Sequence, residues 1–512
     1  MERKRIAIVG SGVAGLSALW TLRHTQHEIH LFEEAERLGG HTNTVVWENN
    51  GHKTPVDTGF IVLNTATYPN FITFLAALKV KTIASEMTFG ISRDCGAFEW
   101  SGTSLSALFA QPSNALKLSF WRMIFDIIRF NQFALDLLSK RSSVGSDSMS
   151  IGEYLEKEGY SDAFRDDYLI PMTACVWSTG PDKCALEFPA LTLVRFMWNH
   201  HLLTTVAERP PWLTVEGGSK MYIDAVMRAC QNARVHLGVS VESATRKDGR
   251  VILGLGGKSR QETETFDEVI MACHGDQAFK IVRQTATPDE TDILSVFQTT
   301  PNTAYLHSDL SLMPKRHTAW SAWNYLTTSQ SPSQTHSPAS GALSTVCLTY
   351  NMNILQSLST STYGNILVTM NPESPPAPAL TQATFQYRHP LYNAPMVAAQ
   401  EKLEFIQGKR GIWYAGAWTG YGFHEDGFAS GMRVGLRLGG EVPWEAKDAK
   451  FSRGTSPVLE WKDYVVRVWV LVLQMFITVL ERVSGVQRNP GESKGAVRVN
   501  GRGERNGKPK IL

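Results

Sequence analysis

Gly10, Gly12 and Gly15 stand at the spacing G-x-G-x-x-G, within Gly10-Ser11-Gly12-Val13-Ala14-Gly15. Glycines at this spacing can hold a diphosphate. The first permits a tight turn, the second lets a phosphate come close to the backbone, and the third lets a helix pack closely on a strand. A helix opening at Val13 and Ala14 would turn free N–H groups and its positive dipole end toward the anion. Glu33 is an acid that could accept hydrogen bonds from ribose hydroxyls.

This chemistry needs a strand before the glycines, a helix after them and a second strand ending at the acid. Residues 5 to 9 form a short apolar run, residues 14 to 23 switch to helical spacing, and residues 28 to 32 alternate as a strand does. A Gly-rich turn in an unrelated α/β protein would share the glycines but not this context. The basic residues Arg3 to Arg5 followed by an apolar stretch imitate a secretory leader, but the glycines interrupt it and a charged segment replaces a cleavage site.

From residue 61 to about 230 the pattern is mostly helical. Strands are expected at Val235 to Val241, Arg250 to Leu255 and Phe266 to Ala272, and again within 300 to 325 and 343 to 371. The Ser/Thr/Pro-rich stretch from Thr327 to Ala342 reads as a surface loop inserted in a hairpin. No period of 20 to 50 residues signals a repeat fold.

The 512 residues carry 50 Lys+Arg against 48 Asp+Glu and 43% apolar side chains, a soluble globular balance. It excludes disorder, collagen and coiled coil, and it offers no basic stripe for nucleic acid. Cys95, Cys175, Cys184, Cys230, Cys273 and Cys347 show neither C-x-x-C pairs nor metal-ligand spacing. They read as packing residues in a reducing, cytoplasmic compartment, with no metal site.

Glu33-Glu34-Ala35-Glu36-Arg37-Leu38-Gly39-Gly40 follows the second strand directly. This E-x-x-x-R-x-G-G resembles the second fingerprint of flavin-containing amine oxidases, protoporphyrinogen oxidases and phytoene desaturases. Gly422-Phe423-His424-Glu425-Asp426-Gly427-Phe428-Ala429-Ser430-Gly431 is similar to the flavin-closing segment of that superfamily, with Asp426 where the family has glycine. Val56 to Phe60 resembles its D-x-G segment, Val215 to Ser219 its central G-G turn, and Val239-Ser240-Val241 sits where a strand usually meets the adenine. Asp57 to Asn64, Trp320 to Tyr325 and Gly416 to Gly427 look like a subgroup of bacterial and fungal NAD/FAD-binding oxidoreductases. Position 418 is Trp where the family often has an acid, and the loop from Gly416 to Gly422 is shorter than in typical monoamine oxidases.

The resemblance implies an α/β fold. A Rossmann-like FAD-binding domain of the glutathione-reductase type would come from residues 1–60, 210–280 and 405–440, interleaved with an α+β substrate domain from 61–209 and 281–404. FAD would be held by Gly10, Gly12, Val13, Ala14, Gly15, Glu33, Glu34, Arg37, Gly39, Gly40, His41, Thr58, Gly59, Val241, Gly416, Phe423, Glu425 and Gly427. His424 and Tyr421 are the catalytic candidates, His424 because an imidazole beside a flavin can act as acid or base near neutral pH. Tyr68, Trp177, Trp320, Trp323, Asn324 and Tyr325 are candidate pocket lining. Asp166, Asp167, Asp289, Glu290 and Asp292 read as solvated charges. The implied reaction passes hydride from a hydrophobic substrate to flavin N5, as in desaturation or isomerisation of an acyl chain or isoprenoid, with dioxygen as reoxidant. Oxidation of a small amine is the alternative reaction. A flavin-binding, membrane-associated partner without turnover is the alternative of a different class.

Residues 457–485 form an apolar segment, and 486–512 read as a basic, disordered tail. Between Leu459 and Arg482, the residues Glu460, Asp463, Arg467, Gln474, Thr478 and Glu481 fall in one arc of about 60 degrees on a helical wheel. A spanning helix needs about 20 apolar residues, and Arg467 and Gln474 intrude. A span is therefore marginal, and the segment reads as an amphipathic helix that lies in a membrane interface, with Trp461 and Trp469 at headgroup level, or packs on the protein's own body, with a single C-terminal membrane anchor as the remaining alternative.

Overall fold

The computed structural model describes residues 2–139, 149–177, 184–203, 210–257, 262–329 and 347–483. Five parallel strands form the sheet beneath the glycine motif, in the order Arg234–Leu237, Glu28–Glu33, Arg5–Val9, Glu268–Met271, Ile412–Tyr414. A parallel sheet is covered on both faces, so its strands are apolar on both. Ile6, Ile8, Leu31 and Ile270 face a core shared with Leu16, Leu19, Phe428 and Met432, while Ala7, Val9, Phe32 and Met271 face Leu253, Leu255 and Phe266. The strands of one sheet thus come from three distant stretches of chain.

Helix Val13–Thr21 leaves the glycine turn and is buried from Ala14 to Thr21. Its partner, helix His424–Arg437, crosses it at a small-residue seam: a Cβ at Gly431 would lie 1.9 Å from the Ala14 carbonyl oxygen. The antiparallel strands Val239–Lys247, Arg250–Gly257 and Glu262–Phe266 cover the sheet's other face. Helix Pro69–Ala77, which the sequence places with the substrate half, packs Phe71, Phe74 and Leu75 into the same core as the Rossmann-like sheet. Its apolar residues at i, i+3 and i+4 make that face.

A second sheet of seven strands runs Thr381–Pro390, Thr299–His307, Leu367–Met370, Cys347–Asn351, Trp323–Thr327, Phe89–Arg93, Phe98–Ser101. Only the pair Trp323–Thr327 and Phe89–Arg93 is parallel. Phe98, Trp100, Phe120, Met123, Tyr325, Leu348 and Val368 form its core. The stretch read as mostly helical therefore also contributes the hairpin Phe89–Arg93 and Phe98–Ser101, turned at Asp94, Cys95 and Gly96, all with positive φ. Strands this short leave too few alternations to be told from helix by period. The Ser/Thr/Pro-rich loop lies, from residue 330 on, outside the described residues, as does the tail from 484.

Asp167 and Glu290 are corrections to the sequence reading. Both are buried: Asp167 pairs with Arg93, and Glu290 takes Arg246 at 2.6 Å and the Tyr414 hydroxyl at 2.9 Å. The helix Trp461–Val483 lies against helix Leu118–Phe133.

Candidate functional site

One cavity of about 1040 Å³ runs from the glycine motif to the second sheet. At its first end it is lined by Gly10 to Ala14, Glu33 to Ala35, Arg37 and Gly39 to His41. The turn is held from behind. Glu33 accepts from the Ser11 N–H at 2.9 Å, the Ser11 hydroxyl at 2.6 Å and the Ala35 N–H at 2.9 Å. Gly39 N–H donates to the Ser11 carbonyl at 3.1 Å, and Arg37 donates to the Gly40 carbonyl at 2.8 Å. A Cβ at Gly15 would sit 1.9 Å from the Gly10 carbonyl oxygen, so this residue closes the turn without reaching the cavity. A Cβ at Gly12 would meet nothing within 4 Å, because that position faces the open space. Val241 lines the same end, with Val239, Ser240 and Glu242.

Gly59 and Gly416 also line the wall. The His41 ring stands 5.1 Å from Tyr387, 5.1 Å from His389 and 5.8 Å from His274, all wall residues. Its Nε2 is buried with no hydrogen-bond partner among the described residues. Burial, then the neighbouring His389 and His274, holds the imidazole neutral, well below its ordinary range. His389 is pushed down to about 4, first by burial.

The far end is aromatic. Phe60, Tyr68, Trp212, Trp323, Tyr350 and Phe423 line it, together with Phe196 and His200 from helix Ala190–Asn199 and its end. Phe423 stacks on Phe196 at 5.1 Å, and Trp323 meets Tyr350 edge-on at 5.2 Å. Gly422, Phe423 and His424 bring the N-terminus of helix His424–Arg437 to the wall, so its positive dipole end faces the cavity. His424 stacks on Phe60 at 3.6 Å, and its Nε2 hydrogen-bonds the Tyr222 hydroxyl at 2.9 Å, which in turn meets the Thr42 hydroxyl at 2.6 Å. Burial lowers its pKa to about 3. At neutral pH this imidazole is therefore uncharged, with its Nε2 tied to the Tyr222 hydroxyl.

Several sequence candidates sit behind the wall instead of on it. Tyr421 packs against Phe196 at 5.8 Å and does not line the cavity. Glu425 caps helix Pro69–Ala77, accepting from the Asn70 side chain at 2.6 Å, the Asn70 N–H at 3.2 Å and the Phe71 N–H at 2.9 Å. Burial pushes its carboxyl up to about 8 against those bonds. A Cβ at Gly427 would approach Val13 Cγ1 to 2.7 Å, so it serves the helix seam. The Thr58 hydroxyl bonds the Asn43 carbonyl at 3.0 Å and the Tyr387 hydroxyl at 2.7 Å. On a helix or strand, neighbours in sequence point different ways, so a motif names more residues than can touch one ligand.

Asp57, the acid of the D-x-G segment, accepts from the Ser219 N–H at 3.0 Å and from the Thr44 hydroxyl at 2.5 Å, tying that segment to the Gly217-Gly218 turn. Asp426, standing where the family has glycine, accepts from the Phe423 N–H at 2.9 Å and caps its own helix. Trp418 lines the cavity and donates its indole N–H to the Cys273 carbonyl at 2.9 Å, joining the ends of two Rossmann-like strands. Trp320, Asn324 and Tyr325 do not reach the wall, and the Trp177 side chain lies outside what is described. Sequence reasoning missed Phe196, His200, Met87, His274, Tyr387 and His389. Phe196 and His200 are i and i+4 on one helix, a spacing that could have paired them; the others carry no local signal. Among the described residues no group of three or more His, Cys, Asp or Glu is placed to hold a metal.

Residues 8–78 match the family model of an NAD(P)-binding Rossmann-like domain. An L-amino-acid oxidase of Pseudechis australis is 46% identical over 48 residues, which is 9% of this chain and 9% of that protein. The chain thus aligns with less than a tenth of that relative's length. Among solved structures, a CLA-producing fatty acid isomerase from P. acnes is similar with a TM-score of 0.55 at 15% identity, over 85% of this chain and 98% of that one. A cyclohexylamine oxidase from Brevibacterium oxydans reaches a TM-score of 0.57 at 12% identity, over 85% and 99%. At such identities the likeness is one of fold.

Proposed function

We propose, from the support these likenesses give to the flavin amine oxidase-like superfamily, that the chain is an FAD-dependent oxidoreductase acting on a hydrophobic substrate. The observation that carries this reading is the single cavity joining a glycine-built end to an aromatic end. The residues present fit FAD. Gly12 leaves an open cradle, and the buried Nε2 of His41 lacks a partner among the described residues.

Backbone N–H groups at the start of helix Val13–Thr21 would hold the diphosphate, and Glu33 would orient the ribose. FAD, when bound, supplies a two-electron acceptor for hydride. The N-terminus of helix His424–Arg437 would stabilise negative charge at the far end of the cavity. The aromatic walls orient the substrate and exclude water. His424, kept neutral and tied to Tyr222, offers a fixed hydrogen-bonding nitrogen.

The charges on the wall support an apolar substrate over an amine. Among the described residues its acids are Glu33, Glu34 and Glu242, all at the nucleotide end, and none of the described carboxylates lines the aromatic end. The test is anaerobic mixing of the flavin-loaded protein with unsaturated fatty acids, isoprenoids and small amines. We expect the visible flavin absorption to bleach with a member of the first two classes and to return in air. Bleaching by amines alone would contradict the substrate class. Reduction by dithionite with none by any candidate would favour the reading of a flavin-binding partner without turnover.

A further inference from the structure

We propose that helix Trp461–Val483, with the corner at Leu116 to Trp121 beside it, forms a face that lies flat in one leaflet of an anionic lipid bilayer. This goes beyond the proposed reaction and does not depend on it. A surface helix ordinarily turns its apolar face to the core and its polar face to water. Here the orientation is inverted. The stripe that contains Arg467, Gln474, Thr478 and Glu481 is turned toward the body: Arg467 pairs with Asp136 at 2.9 Å, and Glu481 pairs with Arg122 at 3.1 Å. Arg122 is in turn held by Asp126 at 3.0 Å. The apolar remainder faces outward, with Val468 60%, Trp469 66%, Leu471 54% and Phe476 61% exposed. A soluble monomer rarely leaves so large an apolar patch in water.

Trp461–Glu481 is long and apolar enough to cross a membrane by length and composition. The ion pairs argue that it does not. Arg467 and Glu481 are about 21 Å apart along the axis, and both are fastened to the body, so the helix lies along the surface instead of projecting from it. Because Arg467 meets the C-terminal end of helix Leu118–Phe133 and Glu481 meets Arg122 near its start, the two helices run antiparallel. That arrangement brings the end of the outer helix beside Leu116, Leu118 and Trp121, which are 88%, 87% and 48% exposed and extend the apolar face. The charge that follows matches an anionic leaflet: residues 482–512 hold 8 Lys and Arg against 2 Asp and Glu.

The test is flotation of the full chain with vesicles of phosphatidylcholine, alone or mixed with phosphatidylglycerol. We expect binding that strengthens with the anionic lipid. Leu471→Asp and Trp469→Asp, both on the outward face, should each lower the partition coefficient roughly tenfold with an unchanged melting temperature; Leu118→Asp should lower it less. A fluorescent amino acid at Val468 or at Val479, three turns apart on one face and about 16 Å along the axis, should be quenched equally by lipids brominated at one depth. Unequal quenching would mean a spanning helix and overturn the flat placement. Equal binding to both vesicle types would overturn the assignment to an anionic surface. No vesicle binding, with a discrete dimer that Leu471→Asp dissociates, would give the face to a second copy of the chain and overturn the proposal.

Discussion

One end of the cavity is built from backbone turns at Gly10 to Ala14 and Gly39 to His41; the other is built from side chains, among them Phe60, Trp212, Trp323 and Phe423. The two ends obey different rules. A diphosphate needs N–H groups and close approach, which only glycines at fixed spacing beside a helix start can supply. An apolar ligand needs shape and dryness, which many combinations of aromatic residues from separate segments provide. Changes at the first end should therefore be nearly all-or-none, and changes at the second graded.

The largest effect is expected at the helix seam that aims both helix starts at the cavity. Gly431→Val puts side-chain atoms where a Cβ already lies 1.9 Å from the Ala14 carbonyl oxygen. We expect a loss of about 3 kcal/mol or more, seen as insoluble expression or a collapsed thermal transition. A variant melting with the wild type would show that the seam does not set the geometry.

Gly12→Asp should leave the fold intact, since a Cβ there meets nothing within 4 Å. Its carboxylate would repel the diphosphate, so flavin content after purification should fall below roughly a tenth of wild type. Full flavin content in this variant would remove the phosphate site from this turn. At the aromatic end, Trp323→Ala should keep the flavin and lower kcat/KM for a reducing substrate by roughly tenfold. Equal loss of flavin would mean that the two ends are not separable.

The smallest effect concerns two adjacent residues whose burial acts in opposite directions. His424 is lowered from 6.5 to about 3, so the unfolded chain takes up its proton first and wild-type stability falls as pH drops below 6.5. The deficit of His424→Asn in melting temperature should thus be greatest at pH 7 and shrink toward pH 4. Glu425 is raised from 4.5 to about 8, so the unfolded chain loses its proton first and stability falls as pH rises through that window. Glu425→Gln should gain on the wild type over the same rise. Melting curves across pH should show slopes of opposite sign, each amounting to a few degrees; parallel slopes would contradict the burial of one of them.

The same contrast decides what the sequence could disclose. The glycine turn, Glu33 and Arg37 were legible because backbone geometry forces residue type and spacing together. Of the candidates between residues 421 and 427 only part was legible. Gly422, Phe423 and His424 reach the wall, but Tyr421, Glu425 and Gly427 are carried behind it by the turn and helix that hold them. His274, Tyr387 and His389 lie on strands and turns hundreds of residues from His41, and no local pattern marks their meeting. Asp167 and Glu290 looked solvated because their partners, Arg93 and Arg246, are remote in sequence. The polar stripe of the last helix was legible, but the side it faces is set by Asp136 and Arg122 on other elements.

We expect the cavity from Gly10 to Phe423 to hold FAD. This is tested most directly by the visible spectrum of the purified protein, followed by identification of the cofactor released on heat denaturation. The expected result is a yellow protein that releases FAD in a ratio near one per chain, with the Gly12→Asp variant colourless. A wild-type protein that is colourless and takes up no added FAD would contradict it.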